Sequence, residues 1–184
     1  MKGIVMKNKK AVKSLVFLMS VLMLCAALAG CGAKEATFDS QDGKYQVTAD
    51  TSWSDSAGEL ADGEAMLEIS NERQEKYLLF MAFDKANYGA MFADLAAYNA
   101  DMTDGMINAY TDSKVIGSKE LQMDNYKAIV TEVEFAYEGH DITSWFFSIE
   151  TEDDYLTAMG WTLKSNADKY GDQIEKIVSS LKAK

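Results

Sequence analysis

Proline is missing from this chain of 184 residues, histidine occurs once, at His140, and cysteine only twice, at Cys25 and Cys31. Without proline, the turns rely on Gly, Asn and Asp. Cations are also scarce, with 18 Lys and Arg against 29 Asp and Glu, a net charge of −11. Five of those cations (Lys2, Lys7, Lys9, Lys10 and Lys13) sit within the first 30 residues, where no acid occurs. Beyond residue 30 there remain 13 cations against 29 acids, a net charge near −16. Such a surface repels nucleic acid phosphates and anionic lipid headgroups, so no nucleic acid partner is expected. A protein partner would present a basic face.

What is present first gives the N-terminus its meaning. The lysine-rich start is followed by an apolar run over residues 15–27 and then by Leu28-Ala29-Gly30-Cys31. A charged n-region, an apolar h-region and small residues at a cleavage site make a secretory signal peptide. Residues 15–30 are too few to span a bilayer core, which takes about 20. The tetrapeptide resembles the lipobox of bacterial lipoproteins. That resemblance implies cleavage before Cys31 and a diacylglyceryl thioether on Cys31. It places the domain on the extracytoplasmic face of the cell membrane, with the membrane itself as a partner through the lipid anchor. Residues 1–30 are therefore read as signal peptide, 31–36 as lipidated cysteine and short tether, and 37–184 as one domain. A chain of about 150 residues buries roughly 68–70% of its unfolded surface, enough for a single core. Cys25 leaves with the signal and Cys31 carries lipid, so the domain has no disulfide, no cysteine nucleophile and no Cys-ligated zinc.

Residues 37–40 and 45–48 flank Asp42-Gly43, a hairpin signal. A polar loop around Trp53 follows over residues 49–63. Ala65, Leu67 and Ile69 alternate with Met66, Glu68 and Ser70, which predicts a strand with one wet face. Residues 77–83 are apolar on both faces, the pattern of a central strand. Phe92, Leu95, Met102 and Met106 keep helical spacing amid alanines. Four strands then run over residues 114–121, 126–137, 142–149 and 155–163. In the second, Glu132 and Glu134 oppose Ile129, Val133, Phe135 and Tyr137. The third is again apolar on both faces, so Phe80, Trp145 and Phe147 are expected to be buried. A final helix, capped by Ser165 or Asn166, carries the stripe Tyr170, Ile174, Ile177, Val178 and Leu181. Grouped strands followed by helices argue an α+β fold built on an antiparallel sheet flanked by helices.

This order of elements resembles the PsbP-like domains. The resemblance rests on Tyr45 in the opening hairpin, Trp53 in the loop after it, and Ile174, Ile177 and Ser180 near the C-terminus. It implies an α/β/α sandwich and a binding or assembly role, and it supplies no site residues.

Chemistry-bearing motifs are few. His140 lies in a turn without a GxSxG elbow near it in sequence. Ser179-Ser180-Leu181-Lys182 has SxxK spacing but ends a helix without a companion motif. No loop has EF-hand spacing. Meander topology gathers Asp124, Glu152, Asp153 and Asp154 at one end of the sheet, away from His140, and predicts weak, salt-sensitive cation binding without a dedicated metal site. No cofactor and no catalytic residue is assigned. The expected role is a membrane-anchored, non-enzymatic binding or accessory module. The competing reading is an extracytoplasmic hydrolase using paired carboxylates.

Overall fold

The computed structural model describes residues 34–184; the expected signal peptide, the lipobox-like tetrapeptide and Cys31 lie outside the described residues. The described chain opens with a hairpin, β1 (Glu35–Asp39) and β2 (Tyr45–Asp50), which turns through Gly43 at a φ of +72°. Next come β3 (Ser54–Asp55), β4 (Leu67–Asn71) and β5 (Lys76–Asp84). A single-turn helix, α1 (Lys85–Tyr88), leads to α2 (Leu95–Ala109). The meander is β6 (Thr111–Gln122), β7 (Lys127–Tyr137), β8 (His140–Glu150) and β9 (Asp154–Leu163). Helix α3 (Ala167–Ser179) and the short β10 (Lys182–Ala183) complete the chain.

Every strand pairing is antiparallel. Seven strands form one sheet in the order β3-β4-β5-β9-β8-β7-β6, and β1-β2-β10 form a second. Strand alternation sends side chains to two helical layers. Phe80, Trp145, Phe147, Leu156 and Ala158 pack with Ile174, Ile177 and Val178 of α3. On the opposite face Met106 of α2 packs with Val133, Phe135, Ile142 and Phe146, and Leu95 and Tyr98 pack with Tyr155. Phe80, Trp145 and Phe147 are buried as expected. The double-sided apolar pattern of β5 and β8 thus has its cause, since these strands flank β9 at the sheet's centre.

Two expectations are corrected. Glu68 of β4 does not face water: it is 1% exposed, and Ser70 is also buried. The loop between β3 and β4 folds over this face and turns its backbone toward the carboxylate. Glu68 Oε2 accepts the N–H groups of Glu59 and Leu60, each at 3.0 Å, and Oε1 accepts that of Ala61 at 3.2 Å. A period-two pattern reads such a residue as solvated because it cannot see donors arriving from a loop. The second correction concerns the start of α3. Asn166 is its N-cap but makes no side-chain cap bond, because its backbone is already helical (φ −108°, ψ −2°) and continues a 3-10 turn. Capping side chains need an extended backbone. Asp94 before α2 has one, and it accepts the Ala97 N–H at 2.9 Å.

Strand β6 forms the outer edge of the large sheet and is mostly exposed. Its ladder with β7 slips twice, between Thr111 and Lys114 and between Val115 and Gly117, so Ile116 is an extra residue. Val115 and Ile116 are about half exposed at this bulge.

Candidate functional site

Helix α3 lies close over β8 and β9 because glycine occurs on both surfaces. A Cβ on Gly160 of β9 would collide with Ile174 Cγ2 of α3. A Cβ on Gly171 of α3 would lie 3.0 Å from Trp145 Cζ2 of β8. The helix does not extend over the outer strands, and a groove of about 500 Å³ remains between it and β6–β8. Its apolar lining is Val130 and Trp145 on the sheet and Ala167 on the helix, opened further by Gly117 and Gly171. Trp145 keeps 9% of its surface exposed there.

Carboxylates surround this lining. Glu132 rises from β7, and Asp168, Asp172 and Glu175 come from α3. The three helix acids are spaced i, i+4 and i+7, which puts them on one face. One cation, Lys119 of β6, also lines the groove, with Nζ 2.9 Å from Glu175 Oε2. Among the described residues, Glu132, Asp168 and Asp172 form no ion pair within 4.0 Å. An aromatic and apolar floor under uncompensated carboxylates suits a cationic group on an apolar stem.

The residues singled out in the sequence fall elsewhere. His140 opens β8 in an exposed position and borders a shallow depression of about 380 Å³ with Asp141, Lys164 and Ser165. Ser, His and Asp meet there, yet the Lys164 ammonium turns to Glu134 Oε2 at 2.8 Å, and a triad requires Ser–His and His–Asp hydrogen bonds that the depression does not contain. Ser179 opens the SxxK match at the last residue of α3, and Ser180 inside the match is structural. Its Oγ accepts the Thr48 N–H at 2.8 Å and donates to the Ile177 carbonyl at 2.6 Å, tying α3 to β2. The pairing of Lys127 with Glu150 brings the Asp124 turn beside the Glu152–Asp153 turn, as the topology requires. Asp154, however, leaves that rim. It is buried and accepts the Tyr45 hydroxyl at 2.8 Å, and its burial with the phenol pushes Tyr45 up to about 12. Among the described residues, no group of three or more His, Cys, Asp or Glu side chains is placed to hold a metal ion.

Lys76 of β5 was not visible in sequence at all. It is 1% exposed, its ammonium lies 4.7 Å from the Trp53 ring and 5.1 Å from the Tyr170 ring, and it donates to Gln173 Oε1 at 2.8 Å. Burial pulls its pKa below the usual lysine range, although Asp50 nearby works against this. The box joins the Trp53 loop, β5 and α3 in one packing unit. The groove residues were also missed. Trp145 reads as core, and the signal that could have revealed the site is the acidic stripe Asp168, Asp172 and Glu175 beside the apolar stripe of the same helix.

Comparison with solved structures places this architecture. CyanoP of Synechocystis sp. PCC 6803 superposes with a TM-score of 0.58 at 10% identity, covering 84% of this chain and 96% of its own. The fold is PsbP-like. LpqN of Mycobacterium tuberculosis, involved in cell envelope biogenesis, gives a TM-score of 0.55 at 10% identity over 82% of this chain and 90% of its own. The Ran-binding protein Mog1p of Saccharomyces cerevisiae gives 0.56 at 9% identity over 82% and 96%. At these identities the likeness concerns the fold. No family model and no curated protein matches the chain. Among the described residues, no helix is long and apolar enough to cross a membrane.

Proposed function

We propose that this chain is a lipoprotein, anchored to the cell membrane through Cys31 and serving on the extracytoplasmic face as a non-enzymatic binding or assembly module. The observation that carries the binding role is the groove between α3 and β6–β8, where uncompensated carboxylates border an apolar floor. Its occupant is the basic face of a protein partner. Opposite charge accelerates encounter and sets register, while the apolar floor supplies burial once the partner is seated. Leu28-Ala29-Gly30-Cys31 supports the anchor. The likeness in fold to LpqN, involved in cell envelope biogenesis, and to Mog1p, a Ran-binding protein, agrees with an accessory role.

Two measurements test this reading in the bacterium that carries the chain. Fatty-acid label and membrane fractionation are expected for the wild type and are lost in Cys31→Ser; a labelled variant overturns the anchor. A photo-crosslinking side chain at position 172 is expected to join a basic envelope protein, and one at the exposed position of Glu64 is not. Adducts at position 64 alone overturn the groove.

A further inference from the structure

The groove is not empty of cations in the free protein. Lys119 reaches from the outermost strand to Glu175 on α3 and spans the cleft that a partner would enter. We propose that Lys119 is an intramolecular stand-in for the partner's cation, and that a basic segment docks by exchanging with it. This inference rests on the groove being the partner site.

Three features support exchange. The Lys119 side chain is 64% exposed and hangs from an edge strand, so it leaves Glu175 by rotating into water without backbone movement. An exposed ion pair of this kind is held weakly enough to be replaced. The competing charges are also unequal. Lys119 neutralises one of four groove carboxylates and leaves Glu132, Asp168 and Asp172 uncompensated. A lysine- or arginine-bearing segment pairs with several of them together and covers the Trp145 floor, which the single stem of Lys119 cannot do. Charge complementarity therefore favours the incoming segment, and Lys119 sets the threshold that it must exceed. Isolated cations gain little by this exchange, whereas a segment with two or more basic residues gains the remaining carboxylates. The device thus selects clustered positive charge.

Lys114 supplies the control. It lies on the same strand, carries the same charge and is similarly exposed, but it pairs with Glu134 at 2.9 Å, outside the groove lining. Lys114→Gln and Lys119→Gln change net charge equally, and only the second removes the stand-in.

The test is fluorescence anisotropy of labelled hexalysine with the full chain in nonionic detergent, in wild type, Lys119→Gln, Lys114→Gln and Asp168→Asn/Asp172→Asn. Lys119→Gln is expected to tighten binding about two- to fivefold, the worth of one exposed ion pair. Lys114→Gln is expected to change it by a smaller factor, reflecting distant charge alone. The double Asn variant is expected to weaken binding more than fivefold. Equal tightening by the two Gln variants, with the double Asn variant still weakened, overturns the stand-in and keeps the groove. Unchanged binding in the double Asn variant, or no binding by wild type and Lys119→Gln alike, overturns the groove itself. Thermal unfolding of each variant near the wild-type midpoint shows that the differences arise at the site.

Discussion

Ile174 of α3 occupies the space that a side chain on Gly160 of β9 would need. One missing methyl group thus sets how closely the helix approaches the sheet. Gly160→Ala is expected to destabilise the domain by about 1–3 kcal/mol, the usual cost of overpacking. Gly160→Ala should cost less in an Ile174→Ala background, because alanine lacks the Cγ2 methyl that the new Cβ would meet. Denaturant midpoints of the two single variants and the double variant measure the coupling. Strictly additive losses would contradict the contact.

Glu68 is expected to hold the β3–β4 loop. Glu68→Ala leaves the N–H groups of Glu59, Leu60 and Ala61 without their acceptor. Unsatisfied buried groups cost about 1–3 kcal/mol in total here, since the loop reopens to water rather than staying closed. Limited proteolysis should therefore cut the variant within residues 57–63 well before the wild type. Equal cleavage rates would contradict this account.

Alkaline stability is expected to depend on two buried phenols. Tyr45, bonded to Asp154, and Tyr98, bonded to Thr157 at 2.6 Å, are each pushed by burial up to about 12. A raised pKa in the folded state means that the native protein holds protons the unfolded chain has lost. Their contribution is complete below about pH 10 and is lost as pH rises from there through about 12. Each should supply on the order of 2 kcal/mol of that decline. Tyr45→Phe and Tyr98→Phe are expected to flatten the fall in unfolding free energy between pH 10 and 12. A decline as steep as that of the wild type would show that these phenols are not its source.

The fold was legible in the sequence where one periodicity governs a whole element. The apolar stripe of α3, the double-sided strands β5 and β8 and the Asp42-Gly43 turn each announce their place. What escaped depends on neighbours distant in sequence. Glu68 reads as a wet strand residue because its donors come from a loop, and Lys76 reads as a surface lysine because Trp53, Tyr170 and Gln173 converge only in space. The acidic rim was half visible. Asp168 and Asp172 could be assigned to the helix's N-terminal half, where they favour its dipole, but nothing in the sequence says that α3 stops short of β6 and leaves Trp145 as a floor.

The extra residue Ile116 in β6 has a consequence for life in a crowd. A lipid anchor, where present, confines molecules to two dimensions and raises the frequency of side-by-side encounters. An unpaired outer strand would then be an invitation to pair edge to edge with a neighbouring copy. Because β6 carries one residue too many at Ile116, a visiting strand that matches Gly117 and the residues after it falls out of step at Val115. Lys114 and Lys119 add charge along the same border. The strand beside the groove can therefore meet a partner's side chains without offering its backbone to the next copy of itself.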